Sequence, residues 1–203
     1  MPLPANGRRY VLLDRDGTLN VERNYLSDPA GLELMPGVGQ ALVALQKIGL
    51  GLVVITNQSG VGRGYLDVAQ LDRIHVRLRE LLSAEGVVLD GIYYCPHTPQ
   101  DGCACRKPST GLIENAAADL GFDPRRSFVV GDKSCDIELG ARLGATTILV
   151  RTGYGAQQEA QADHVVDDLR AAAEVIMRVL GRPAAVPVQV HVQANICIRE
   201  GEA

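Results

Sequence analysis

Tyr10-Val11-Leu12-Leu13-Asp14-Arg15-Asp16-Gly17-Thr18 is the stretch on which the reading of this chain turns. Four apolar residues stop abruptly at two carboxylates and a glycine, the pattern of a buried strand feeding a loop. Outward from it, similar runs recur. Residues 50–55 form a β-branched run ending at Thr56, residues 91–94, 127–130 and 146–150 form three more, and 164–166 read as a short edge strand. Helical spacings lie between them: 38–48 bounded by Gly37 and Gly49, 66–84 with Leu71, Ile74, Leu78 and Leu81 on one face, 110–120 stopped by Gly121, 135–143, and 169–180. Strands alternating with helices predict an α/β sandwich of three layers, a parallel sheet covered on both faces. Ligands in such folds bind beyond the carboxyl ends of the strands, and Asp14, Thr56 and Asp132 all fall there.

The 203 residues suffice for one domain with a sizeable core, and 46% hydrophobic content reads as globular rather than disordered. The domain is expected over residues 1–182. From Arg182 the pattern fails, and 183–203 read as a loose tail in preference to an extra edge strand. A net charge of −4 with no basic run argues against nucleic acid as a partner. No apolar stretch is long enough to span a membrane, and the first nine residues lack the apolar segment of a signal peptide, so a cytoplasmic protein is expected. Of five cysteines, Cys95, Cys103 and Cys105 cluster around His97. In a cytoplasmic chain that suggests a metal more than disulfides. Cys135 and Cys197 read as bystander thiols, His75 and His164 as surface or core residues, and His191 has no assigned role.

Four short segments carry candidate chemistry. Asp14 and Asp16, two residues apart after a buried strand, can divide nucleophilic attack and proton transfer between them, although aspartates also cap strand ends. Thr56-Asn57-Gln58-Ser59-Gly60 offers small polar groups to a phosphoryl group, or is an ordinary loop. Arg106-Lys107 could neutralise charge on a transferring group, or be solvated surface. Asp132, after a strand, could bind Mg²⁺ or cap a helix. The Cys95, His97, Cys103, Cys105 set suits tetrahedral structural zinc. It precedes Arg106 and Lys107 directly, so a metal clamp there would fix both cations.

In order and placement these segments resemble the four motifs of the haloacid dehalogenase superfamily of phosphatases, at Asp14/Asp16, Thr56, Lys107 and Asp132. The resemblance covers roughly residues 8–180. It implies a Rossmann-like fold in which Asp14 attacks phosphorus and Asp16 acts as acid and then base. Thr56 and Lys107 hold the phosphoryl oxygens, and Asp14, the Asp16 carbonyl and Asp132 hold Mg²⁺. Asp136 is expected to support the loop. The spacings between motifs leave no room for a cap domain, so the site should be open, walled by residues 22–28 and the zinc loop. Within the superfamily the zinc loop is similar to two families, the heptose 1,7-bisphosphate 7-phosphatases and the histidinol-phosphate phosphatases. The segments 56–60 with Arg63-Gly64, 93–97 and 131–133 resemble the first, and the five residues between His97 and Cys103 are also seen in the second. The heptose resemblance implies a sugar-phosphate substrate in nucleotide-activated heptose and lipopolysaccharide synthesis. It also implies substrate contacts from Glu22, Arg23, Asn24 and Tyr25. Thr56, Asn57, Gln58, Ser59, Arg106, Lys107 and Lys133 are further candidate contacts, and Arg63, Arg106 and Lys133 could supply more cations than one phosphate needs, which favours a bisphosphate. A monomer is expected. A reading of another class, a zinc-stabilised sugar-phosphate binder without catalysis, would not need both Asp14 and Asp16 as aspartate.

Overall fold

The computed structural model describes residues 7–158 and 160–182. Residues 183–203, with His191 and Cys197, lie outside the described residues. Six parallel strands form one sheet: β1 (Tyr10–Leu13), β2 (Gly51–Asn57), β3 (Gly91–Cys95), β4 (Phe128–Gly131), β5 (Thr146–Val150) and β6 (His164–Val166). Their spatial order is β3-β2-β1-β4-β5-β6, so the apolar run at the chain's start is central. Among the described residues six α-helices accompany them: α1 (Val38–Lys47), α2 (Ser59–Gly62), α3 (Val68–Ala84), α4 (Gly111–Leu120), α5 (Ser134–Leu143) and α6 (Leu169–Val179).

Strand periodicity divides the core in two. Val11 and Leu13 of β1 face a cluster with Leu42 of α1, Leu71, Ile74 and Leu78 of α3 and Ile176 of α6. Tyr10 and Leu12, pointing the other way, join Leu112, Ile113 and Ala116 of α4 with Leu139 of α5. Both faces are therefore covered, which is why these strands are apolar without interruption. No helix among the described residues is long and apolar enough to cross a membrane. No second domain intervenes, among the described residues, between Asp16 and Thr56 or between Thr56 and Lys107.

Three details depart from the sequence expectation. Thr56 and Asn57 lie inside β2, because the ladder continues to Tyr94 and Cys95 of β3. The short helix α2 was not expected, because Ser-Gly-Val-Gly is poor in helix formers. On α3 the fully buried position is Leu82, while Leu81 packs only partly against the core.

His75 on α3 is a core residue, 8% exposed, and its ring lies 5.4 Å from that of Tyr94. Burial, followed by the nearby Arg15 charge, lowers it to about 4. Below pH about 6.5 the unfolded chain takes up the proton that the folded chain refuses until about 4, so this group's contribution is present above 6.5 and is lost as pH falls. Between pH 7 and pH 5, wild type should lose about 2 kcal/mol relative to His75→Leu. Urea unfolding of both proteins at the two pH values measures this, and parallel profiles would contradict it.

Candidate active site

Asp14 stands immediately beyond β1 and Asp132 beyond the adjoining β4, at the point where the chain, having built one side of the sheet, returns to build the other. A crevice opens there in doubly wound sheets. Asp14, Asp132 and Asp136 offer carboxylate oxygens within 4.8 Å of one another, and all three residues are buried.

Lys107 is what makes this cluster tenable. Its side chain is 2% exposed and its Nζ lies 2.8 Å from Asp14 Oδ1 and 2.6 Å from Asp136 Oδ1. It also donates to the Ile55 carbonyl at 2.8 Å. Burial alone would lower its pKa, but Asp136 and Asp14 outweigh that and hold it well above the ordinary lysine value. Asp136 thus has a larger part than loop support: it shares Lys107, and its other oxygen accepts the Lys133 N–H at 3.1 Å. Asn57 fixes the Lys107 backbone on both sides, accepting from its N–H at 3.0 Å and donating to its carbonyl at 3.2 Å. The structure therefore gives the Asn57 amide a positioning contact that its expected place among the substrate ligands did not foresee.

Asp132 differs from the other two acids. One oxygen accepts the Tyr154 N–H at 2.8 Å, while Oδ1 is buried with no partner among the described residues. Burial and the Asp14 charge push it up to about 7. Gly17 and Gly153, with φ of +86° and +55°, close over it, and a Cβ at either would strike its carboxylate. An orphaned buried oxygen beside Asp14 fits a hard, oxygen-ligated divalent cation, which Asp14, Asp132 and the Asp16 carbonyl could hold.

Asp16 is held by charge. It accepts from Arg15 at 2.7 Å, Asn20 at 3.0 Å and Gln58 at 2.8 Å. Burial would raise its pKa, but Arg15 and the hydrogen bonds from Asn20 and Gln58 prevail and keep it below the usual carboxylate range. Gln58 donates also to Thr56 Oγ1 at 2.8 Å, so one amide aligns both residues. Arg15, 1% exposed, and Asn20 went unassigned in the sequence. An arginine between two aspartates was the available signal for the first.

Above these residues lies a cleft of about 250 Å³ lined by Glu22, Asn24, Tyr25, Ser59, Arg106 and Lys133, among others. Glu22 pairs with Lys133 at 3.0 Å. Arg106 donates to the His97 carbonyl at 3.2 Å. Arg23 is not brought to the cleft lining; it pairs with Glu33 at 2.7 Å on the surface. The walls extend beyond residues 22–28 and the cysteine loop, since Leu66 and Tyr154 also contribute.

The cysteine loop gathers Cys95, His97, Cys103 and Cys105. The Cys105 Sγ lies 3.2 Å from Cys95 Sγ and 3.4 Å from Cys103 Sγ, and the His97 Nδ1 lies 3.3 Å from Cys105 Sγ. These are free thiols. Four donors spaced this way approach the edges of a tetrahedron, roughly 3.5–3.8 Å for zinc bond lengths.

Residues 104–172, which carry Lys107, Asp132 and Asp136, match the family model for HAD-like hydrolases, and the six-stranded parallel sheet is that of the haloacid dehalogenase-like fold. A D-glycero-beta-D-manno-heptose-1,7-bisphosphate 7-phosphatase of Haemophilus ducreyi is 43% identical over 173 residues, covering 80% of this chain and 95% of the relative. The enzyme of the same name from Escherichia coli K12 is 41% identical, covering 78% and 88%. The crystal structure of a D,D-heptose 1,7-bisphosphate phosphatase from B. bronchiseptica, complexed with magnesium and phosphate, superposes with a TM-score of 0.78 at 36% identity, covering 84% of this chain and 99% of that one. The chain belongs to the heptose-1,7-bisphosphate 7-phosphatase family of the haloacid dehalogenase superfamily.

Asn57→Ala removes both hydrogen bonds that fix the Lys107 backbone. It is expected to lower kcat for phosphate release about 10-fold or more, with metal content unchanged. Wild-type kcat in this variant would show that Asn57 does not position Lys107.

Proposed function

We propose that the protein is a magnesium-dependent phosphatase that removes the C7 phosphate of D-glycero-D-manno-heptose 1,7-bisphosphate through an aspartyl-phosphate on Asp14. The observation that carries the substrate is the distribution of cations in one cleft. Lys107 is committed to Asp14 and Asp136, while Arg106 and Lys133 stand on the cleft walls. Lys133 already has Glu22, but Arg106 is tied only to a backbone carbonyl; a monophosphate leaves Arg106 without an anion, and a bisphosphate has a second one for it. Arginine's planar fork suits bidentate phosphate contact.

Asp14 attacks phosphorus while Lys107 offsets charge at the transferred group. Asp16, charged in the free enzyme, suits the second half-reaction, in which it takes a proton from the water that hydrolyses the intermediate. The first half-reaction needs it protonated to release the sugar alkoxide, and a phosphate dianion arriving beside it raises its pKa in that direction. Thr56 and Ser59 bind phosphoryl oxygens, and Glu22, Asn24, Tyr25 and Gln58 border the sugar. Magnesium, when bound by Asp14, Asp132 and the Asp16 carbonyl, supplies further neutralisation of the phosphoryl oxygens. Zinc held by Cys95, His97, Cys103 and Cys105 is structural and orients Arg106, whose guanidinium is tied to the carbonyl of His97. Free thiols in such a cluster fit a reducing compartment, which supports a cytoplasmic enzyme.

Asp14→Asn should abolish turnover with the fold retained, and Asp16→Asn should cost about 10²–10⁴-fold. Near-normal activity in Asp14→Asn would remove it as nucleophile. Phosphate release is compared on both anomers of the heptose bisphosphate and on histidinol phosphate. Preference for histidinol phosphate would overturn the substrate while leaving the Asp14 chemistry intact. Arg106→Ala should reduce kcat/KM for the bisphosphate about 10-fold or more, the loss of one charged hydrogen bond, and affect nitrophenyl phosphate far less. Equal losses would assign Arg106 to the transferred phosphate.

Elemental analysis should find about one zinc per chain. Cys103→Ser should lose it and lose activity with it. A zinc-free protein of full activity would exclude the clamp.

A further inference from the structure

The turn after β5 reaches three parts of the site at once through Tyr154, a residue to which the sequence pattern gave no role. Its backbone N–H donates to Asp132 Oδ2 at 2.8 Å. Its ring lies 4.9 Å beneath the Lys133 ammonium, within cation–π range. Its hydroxyl donates to Asn24 Oδ1 at 3.2 Å, across 130 residues of chain. The turn itself is tightly determined: a Cβ on Gly155 would strike the Val150 carbonyl, and one on Gly153 would strike Asp132.

What Tyr154 holds is the least relaxed backbone in the cleft. Asn24 and Tyr25 both have left-handed φ, +45° and +64°. Asparagine tolerates that region; for tyrosine it is uncommon. Local contacts alone do little to enforce it. Within the segment, Glu22 accepts the Asn24 N–H at 3.0 Å. Tyr25 packs edge-on against Tyr65, under Arg63, and Arg23 pairs with Glu33; from the side of Asp132 the ties to the segment are the Lys133–Glu22 pair at 3.0 Å and the Tyr154 hydroxyl. Lys133 in turn rests on the Tyr154 ring. Both ties from the β4 and β5 loops to residues 22–24 therefore pass through or lean on this one side chain, whose backbone also aligns the acid at the cation site.

We propose that Tyr154 is a positioning residue that holds residues 22–24, in the wall assigned above to the sugar, and joins that wall mechanically to the Asp132 end of the site. The inference rests on the phosphatase reading for its kinetic consequence but not for its structural one. Tyr154 acts on the bound sugar through Asn24 and Glu22 and transfers no proton itself.

Tyr154→Phe keeps the ring and the backbone N–H and removes only the hydroxyl. KM for the heptose bisphosphate should rise about five-fold, the size of one net hydrogen bond, with kcat within about two-fold and the magnesium dependence unchanged. Asn24→Gly removes the acceptor while accepting the same φ. The double variant should be no worse than the poorer single one, because both break the same bond. Fully additive effects, or a wild-type KM in Tyr154→Phe, would overturn the proposal. Hydrogen exchange across residues 22–26 of the free enzyme gives the second reading. It should quicken about five-fold in Tyr154→Phe, and an unchanged rate overturns the tie whatever the enzyme hydrolyses. A wild-type protein inactive on the bisphosphate, with quickened exchange in the variant, would sink the substrate assignment and leave the positioning role standing.

Discussion

A lysine ammonium almost sealed from water, lying between two carboxylates, is the constraint around which this site is built. Lys107 could not stay charged in that place without Asp14 and Asp136, and neither acid could lie so deep without Lys107. Removing one partner of such a pair leaves an uncompensated buried charge, which typically costs about 3–5 kcal/mol. The requirement brings together three separate elements: the end of β1, the first turn of α5, and the loop preceding α4. Asn57, the last residue of β2, completes the junction by holding the Lys107 backbone on both sides.

The same arrangement leaves the cleft electrostatically divided. On its floor, acids outnumber the lysine that serves them, and Asp132 keeps one buried oxygen without a partner. That end calls for a divalent cation. On the walls, Lys133 and Arg106 stand above the floor with weaker commitments, one to Glu22 and one to a backbone carbonyl. An anionic ligand entering the cleft thus meets cations on its walls and, at the floor, the Asp14 carboxylate, whose repulsion Lys107 already offsets. Attack by a carboxylate on a phosphate requires such an arrangement, since two anions must be brought into contact.

Rigidity is supplied differently at each wall. The Arg106 side rests on a cluster of four side chains able to hold a metal, within eleven residues of chain. The side formed by residues 22–25 has no such cluster. It depends on contacts from elsewhere in the chain, among them Tyr65 and Arg63 against Tyr25 and, from the loops after β4 and β5, Lys133 and Tyr154. One wall can therefore be specified locally, and the other only by long-range contacts.

Much of this was legible in the sequence. Uninterrupted apolar runs separated by helical spacing announce a parallel sheet, because strands buried on both faces have no polar side to show. The order of Asp14/Asp16, Thr56, Lys107 and Asp132 picked out side chains that the fold gathers, with Asp14 and Asp132 just beyond their strands, and the compact Cys-His-Cys-Cys spacing announced its own cluster. These features are local, set by covalent spacing and by the pleat of a strand. What only the tertiary structure decided is who pairs with whom. Asp136 on Lys107, Gln58 between Thr56 and Asp16, Arg23 turned away to Glu33, and Tyr154 reaching Asn24 all depend on chain crossings that no local spacing encodes. A buried charge takes whatever counter-charge the fold brings within about 3 Å, and that choice is made only once the sheet has closed around it.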